Sequence, residues 1–191
     1  LEQVPHGAMI GTSSARRAAQ LLHLRPDIQV VGFRGNVETR LRKLEEGVAV
    51  ATLLASAGLM RLGLDAHIRT MIAPEVMLPA VAQGAIGIEC RDDNAAIIDL
   101  LGPINHAPTM TCLTAERAFL QVLDGSCRTP IAGLATLDGE HLHLRGEVLS
   151  LDGRICHRDE IHGRALNAEA LGQMLGQRLR DHAGEALLNH D

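Results

Sequence analysis

Met9-Ile-Gly-Thr-Ser-Ser-Ala-Arg-Arg17 is the stretch from which the fold can be read. Two apolar residues run into Gly11-Thr-Ser-Ser14, and Ala15 to Leu24 then reads as a helix that stops before Pro26. A short strand, a glycine-opened turn and a helix make half of a βαβ unit. The same grammar recurs downstream. Ile28 to Phe33 is a β-branched strand, Arg34-Gly35 turns the chain, and Asn36 is placed to cap a helix running to Glu46. Val48 to Leu54 reads as a third strand and Ala57 to Leu64 as a short helix. Alternating strands and helices predict an α/β unit built on a mostly parallel sheet.

Ile72 to Gln83, with two prolines, predicts an irregular crossing; Ala85 to Cys90 reads as a buried strand and Asn94 to Leu101 as a helix ended by Gly102-Pro103. After a long helix over about Met110 to Leu123 the pattern changes. Ile131 to Leu137, His141 to Leu149 and Arg154 to Ile161 are strands separated by Asp138-Gly139 and Asp152-Gly153, both strong hairpin signals, and a last helix covers about Ala168 to His182. These elements predict a second, small α+β unit with a three-stranded antiparallel sheet. The division is 1–84 for the α/β unit, 85–106 for a connecting segment and 107–191 for the α+β unit.

Composition narrows the function classes. The hydrophobic content of 46% supplies a core, but aromatics are only 1%, which leaves almost nothing to stack on nucleic-acid bases. A formal charge of -5 also argues against phosphate-backbone binding, so any anion site must be local. No apolar run is long enough to span a membrane, and Cys90, Cys112, Cys127 and Cys156 show no C-x-x-C spacing; a reduced, cytoplasmic, monomeric protein is expected. Because the chain begins at Leu1 and enters a strand almost at once, its first residue is expected not to be the natural start.

Gly11-Thr-Ser-Ser-Ala-Arg16 and Gly35-Asn-Val-Glu-Thr-Arg40 both place an arginine five residues after a glycine at a strand-to-helix junction. Arg17 and Arg34 flank these junctions, and Arg61 follows the third strand. Helix N-termini present unpaired N–H groups and a positive dipole end, and arginine adds a fixed fork for carboxylates or phosphates. Taken singly, each of these arginines reads first as a solvated helix residue; the repetition lowers that preference. There is no G-x-G-x-x-G for a dinucleotide. Cys127 lies in a turn beside Arg128, where a thiol can become nucleophilic, whereas Cys90 in an apolar strand and Cys112 in a helix read as inert core. From position alone an inert Cys127 fits as well. His141-x-His143 is too common a spacing to name a metal, so no metal site is expected.

Six motifs stand in order along the chain: Gly11-Thr-Ser-Ser-Ala-Arg-Arg17, Phe33-Arg-Gly-Asn-Val-Glu-Thr-Arg-Leu-Arg-Lys-Leu44, Ala57-Gly-Leu-Met-Arg-Leu-Gly-Leu64, Leu78-Pro-Ala-Val-Ala-Gln-Gly-Ala-Ile-Gly-Ile-Glu-Cys-Arg91, Thr114-Ala-Glu-Arg117 and Leu123-Asp-Gly-Ser-Cys-Arg-Thr-Pro-Ile131. As a set they resemble the hydroxymethylbilane synthase, or porphobilinogen deaminase, family. The likeness fades after about Leu149.

The resemblance implies a transferase of tetrapyrrole (haem) biosynthesis that condenses four porphobilinogen molecules head to tail with release of ammonia. It implies a dipyrromethane cofactor joined by a thioether to Cys127, with Arg16, Arg17, Arg34 and Arg40 holding its carboxylates and Ser13 and Ser14 nearby. Arg61, Asn36 and Gln83 would then bind the substrate, porphobilinogen or the growing oligopyrrole. It further implies a periplasmic-binding-protein-like first unit, a segment 85–106 that returns to an absent N-terminal domain, and a catalytic aspartate in that domain. This chain alone is therefore expected to be inactive. Two positions depart from the family: Val50 stands where an acidic residue is common, and Met60 where a lysine is common. The alternative reading is a non-catalytic binding module for small polycarboxylates.

Overall fold

The computed structural model describes residues 1–123, 129–184 and Leu187. Three short strands, β1 (Met9–Gly11), β2 (Gln29–Val31) and β3 (Ala51–Thr52), form a parallel sheet in the order β2-β1-β3. Each leads into a helix: α1 (Ala15–Leu24), α2 (Val37–Glu45) and α3 (Ser56–Arg61). Parallel pairing places all three strand-to-helix loops at one edge of the sheet. β2 and β3 are shorter than their apolar runs predict. β1 turns into the Gly11–Ser14 loop after three residues, and its neighbours can pair only along that length.

Ile10, Leu21 and Ile28 form the small core of this unit, where α1 covers the sheet. Phe33 is fully buried against Gly11, and a Cβ at Gly11 would lie 2.4 Å from the ring. The glycine that opens the first loop therefore also admits the aromatic ring from the second.

Ala85 to Cys90 is not a strand, contrary to the sequence expectation. No ladder partner lies beside it among the described residues, Ile86 is 78% exposed, and Cys90 is exposed and not a core thiol. An apolar run has the composition of a strand, but a strand also needs a neighbour to pair with. The helix α4 (Ala95–Leu101) follows and buries none of its residues.

The second unit has α5 (Ala107–Leu123), β4 (Ile131–Asp138), β5 (His141–Leu149), β6 (Cys156–Arg164) and α6 (Ala168–Ala183). The strands form an antiparallel meander whose inner face is covered by α5 and α6. Gly139, at φ 57°, makes the tight first hairpin, as its Asp-Gly signal predicts. The second turn is wider: β5 ends at Leu149, β6 begins at Cys156, and Ser150 N donates to Ile155 O at 2.9 Å.

Gly133 and Gly146 are register partners, and the ring of Phe119 fills the hollow they leave. At the α5–α6 crossing a Cβ on Gly172 would fall 2.2 Å from the Ala115 carbonyl oxygen, so the helices meet backbone to backbone. Cys112 is half-buried and packs against this core. Burial and the nearby Glu116 push its thiol pKa up, as an inert cysteine requires.

Candidate functional site: an arginine cluster at the loop edge

The Gly11–Ser14 loop is fixed by its own polar groups. Thr12 N donates to Val31 O at 2.9 Å, Ser14 N to Thr12 Oγ1 at 3.2 Å, and Thr52 Oγ1 to Gly11 O at 2.8 Å. Ser14 is the N-cap of α1, its hydroxyl accepting from Arg17 N at 3.4 Å, while Ser13 is exposed. No acidic residue occupies the first turn of α1, so its positive end faces the loop edge uncompensated. Asn36 caps α2 in the same way, Oδ1 accepting from Thr39 N at 2.9 Å.

Arg16, read as a carboxylate-binding arginine early in its helix, is buried, at 9% exposure. Its Nη1 donates to Leu78 O at 2.7 Å and to Gln20 Oε1 at 3.0 Å. Burial, then the adjacent Arg17, pull its pKa down to about 10, against a partial counter-effect from Glu147. Arg17 donates to Leu53 O at 3.0 Å, and its pKa is lowered by burial and by the charge of Arg40. Arg40 in turn donates to Gly35 O at 2.8 Å.

The structure thus brings Arg16, Arg17 and Arg40 within electrostatic reach of one another. All three are held by neutral carbonyl or amide oxygens, and among the described residues none has a carboxylate within ion-pair distance. Elsewhere in the chain exposed arginines do find acids, as Arg91 does with Asp93 at 2.6 Å. Three cations fixed in place without counter-charges have the charge and geometry to pair with carboxylates or phosphates. Arg34 lies exposed in the β2–α2 loop, Arg61 is the exposed last residue of α3, and Gln83 is exposed on the crossing segment. Neither of these arginines has a carboxylate partner among the described residues.

Three contributors went unnoticed in the sequence. Gln20, 2% exposed, shares the Leu78 carbonyl with Arg16 through Nε2 at 3.1 Å. Glu116 is buried on α5, and its carboxylate accepts from Ala82 N at 2.6 Å and Ala135 N at 2.8 Å. It pins the residue before Gln83, where the backbone takes the left-handed conformation at Ala82 (φ 62°), to the edge strand of the second unit. Burial raises the pKa of Glu116, and the two N–H donors oppose that shift. Glu147, 1% exposed on β5, pairs with Arg158, and its charge partly offsets the fall in the Arg16 pKa. The only sequence signal for any of these was the Thr114-Ala-Glu-Arg117 motif. Cys127 lies outside the described residues.

The family model described as porphobilinogen deaminase, dipyromethane cofactor binding domain, matches residues 1–99, and porphobilinogen deaminase, C-terminal domain, matches 110–181. The curated porphobilinogen deaminase of Paracoccus denitrificans (strain Pd 1222) is 53% identical over 183 residues, 96% of this chain and 58% of that protein. The chain therefore spans less than two thirds of the relative's length. With cofactor-binding and C-terminal models together covering most of its residues, the chain belongs to the porphobilinogen deaminase family.

Proposed function

We propose that this chain is the cofactor-holding part of a hydroxymethylbilane synthase, a transferase that condenses four porphobilinogen molecules into a linear tetrapyrrole. The observation that carries the reading is the Arg16, Arg17 and Arg40 cluster, whose charges no carboxylate neutralises among the described residues. Porphobilinogen bears an acetate and a propionate, so each added pyrrole brings two carboxylates to be held. Guanidinium groups anchored by carbonyl oxygens offer their remaining N–H donors without paying to reorganise.

Each condensation forms a carbon–carbon bond between the aminomethyl carbon of one unit and the open α-carbon of another, with ammonia and the α-proton leaving. When bound, a dipyrromethane supplies the open α-carbon that primes the chain. Arg16, Arg17, Arg34 and Arg40, with Ser13 and Ser14, would hold that group; Arg61, Asn36 and Gln83 would meet the incoming units. Cys127 would carry the thioether. It stands four residues before Ile131, a span of at most about 14 Å. Ile131 opens β4, and the next residue, Ala132, is the register partner of Glu147, the anion that Arg16 senses.

Residues 1–84 would form the anion-binding unit and 107–191 the cofactor-bearing one. Residues 85–106, with Ile86, Ile88, Leu100 and Ile104 exposed, would meet the remainder of the full-length enzyme. On this reading the chain by itself turns over no porphobilinogen, because part of the reacting site lies in that remainder. The test is intact mass and peptide mapping of the full-length protein. A pyrrole adduct on the Cys127 peptide, lost in Cys127→Ser together with turnover, is expected. An adduct and normal turnover that persist in Cys127→Ser would overturn the assignment, and reversible polycarboxylate binding with no adduct would favour a non-catalytic binding module.

A further inference from the structure

We propose that His143, His162 and Glu160 form a binding site for one first-row divalent metal ion of the zinc type on the outer face of the antiparallel sheet. His143 on β5 and His162 on β6 are register partners, and Arg145 and Glu160 form the next pair on the same face. Antiparallel pairing thus stands two imidazoles side by side with a carboxylate one step along. Their rings stack with centroids 4.0 Å apart. Glu160 lies between them in reach, Oε2 at 2.8 Å from His143 Nε2 and Oε1 at 3.9 Å from His162 Nε2. One ligand atom from each of the three residues falls within 4.8 Å of the others.

Two atoms bound at about 2.1 Å to a tetrahedral centre are separated by roughly 3.4 Å, so closure needs movements of about 1 Å. Turning the imidazoles about their broad terminal torsions supplies that without backbone change. Two neutral imidazoles and one carboxylate suit zinc, copper or nickel better than magnesium or calcium, which prefer all-oxygen sites. His143 and His162 line a surface pocket of about 400 Å³ with Thr136, Asp138 and His141, leaving room for water at the fourth position.

The surrounding cations are already engaged. Arg145 pairs with Glu75 at 3.2 Å, Arg164 with Glu140 at 3.3 Å, and Arg178 with Asp159 at 2.9 Å. The charge of Glu160 is therefore not consumed by a direct arginine pair, and a bound ion would gain it. Such an ion would cross-link β5 and β6 far along the sheet from Glu147, and so apart from the arginine cluster.

The experiment is titration of the full chain, freed of metal with a chelator, with zinc chloride by calorimetry and with cobalt chloride by visible absorption. One equivalent of zinc and cobalt bands characteristic of nitrogen–oxygen ligation are expected, both retained after the thiols are alkylated. His143→Ala, His162→Ala and Glu160→Gln should each weaken binding at least about tenfold, the scale already seen when outer-shell partners of a metal are lost. His67→Ala, at an exposed position elsewhere, should leave binding unchanged. Metal-free melting curves of the variants, matching that of the parent, would show that the losses are not unfolding. Absence of stoichiometric binding, binding indifferent to the double substitution of His143 and His162, or binding abolished by thiol alkylation would each overturn the proposal.

Discussion

Replacing Arg16 by Leu separates a binding role from a structural one, because its stability cost and its stability contribution are both large and nearly cancel. The fall in its pKa to about 10 means that the fold disfavours the charged guanidinium, relative to the neutral form, by about 3 kcal/mol more than water does, at about 1.4 kcal/mol for each tenfold. Against this, the side chain donates to Leu78 O at 2.7 Å and Gln20 Oε1 at 3.0 Å. Charge-assisted bonds of this kind contribute about 1.5–3 kcal/mol, and Leu78 O keeps Gln20 Nε2 as a donor when Arg16 is removed. The net change for Arg16→Leu should therefore stay within about 1.5 kcal/mol of zero, or roughly 3–6 °C in melting temperature. Removal of one fork from a polycarboxylate should meanwhile weaken binding by about 2 kcal/mol or more, over tenfold. Thermal melts and calorimetric titration with porphobilinogen, on the same full-length protein, measure both. A loss of stability above about 3 kcal/mol with unchanged affinity would refute the reasoning and make Arg16 a strut between α1 and the crossing segment.

Three further substitutions probe the packing of the two units. Glu116→Gln presents an amide NH₂ to one of two backbone N–H donors, Ala82 or Ala135, and should cost about 1–3 kcal/mol in chemical denaturation. The raised pKa of Glu116 means the native state holds its proton longer than the unfolded chain does, so this residue's contribution is full below the ordinary carboxylate range and declines as pH rises through the raised value; Glu116→Gln should lack that decline. Gly172→Ala places a methyl 2.2 Å from the Ala115 carbonyl oxygen, forcing α5 and α6 apart at a cost of about 2–3 kcal/mol, seen as a lower denaturant midpoint. Gly58→Ala, with open space around it in α3, should instead raise the midpoint slightly.

Sequence pattern disclosed the elements whose partners are close in the chain. The Asp138-Gly139 hairpin, the Asn36 cap and the α1 stop before Pro26 are local physics, and they stand where the residues predict. It failed where the deciding partner is distant. Ala85 to Cys90 has strand composition and no neighbouring strand among the described residues. Arg16 reads as a helix-surface residue until the Leu78 carbonyl, sixty-two positions away, closes over it. The same reason hid His143 and His162: spacing rules compare residues along one segment, whereas this pair meets only through the β5–β6 register.

The long-range partners fall largely at the seam between the two units, and that seam is mostly polar. Arg16 grips Leu78 O, Pro79 O accepts from Gly133 N at 3.1 Å, Glu116 binds Ala82 N, and Arg145 reaches Glu75. These four contacts tie residues 75–82 once to α1, which bears the arginines, and three times to the second unit, twice to its sheet and once to α5. At the other end of α1, His23 Nδ1 meets Gly153 O at 3.0 Å, where a Cβ on Gly153 would collide with Ala19 O at 2.6 Å. An apolar seam would tolerate sliding, since hydrophobic burial is non-directional. Hydrogen bonds with defined donors do not, and leaving one unmade in a buried place is costly. The crossing segment, poor in regular structure, therefore sets the register between the arginines of α1 and the chain that enters β4. On the proposed reading, a ligand tethered on one side and gripped on the other would need that register to be fixed.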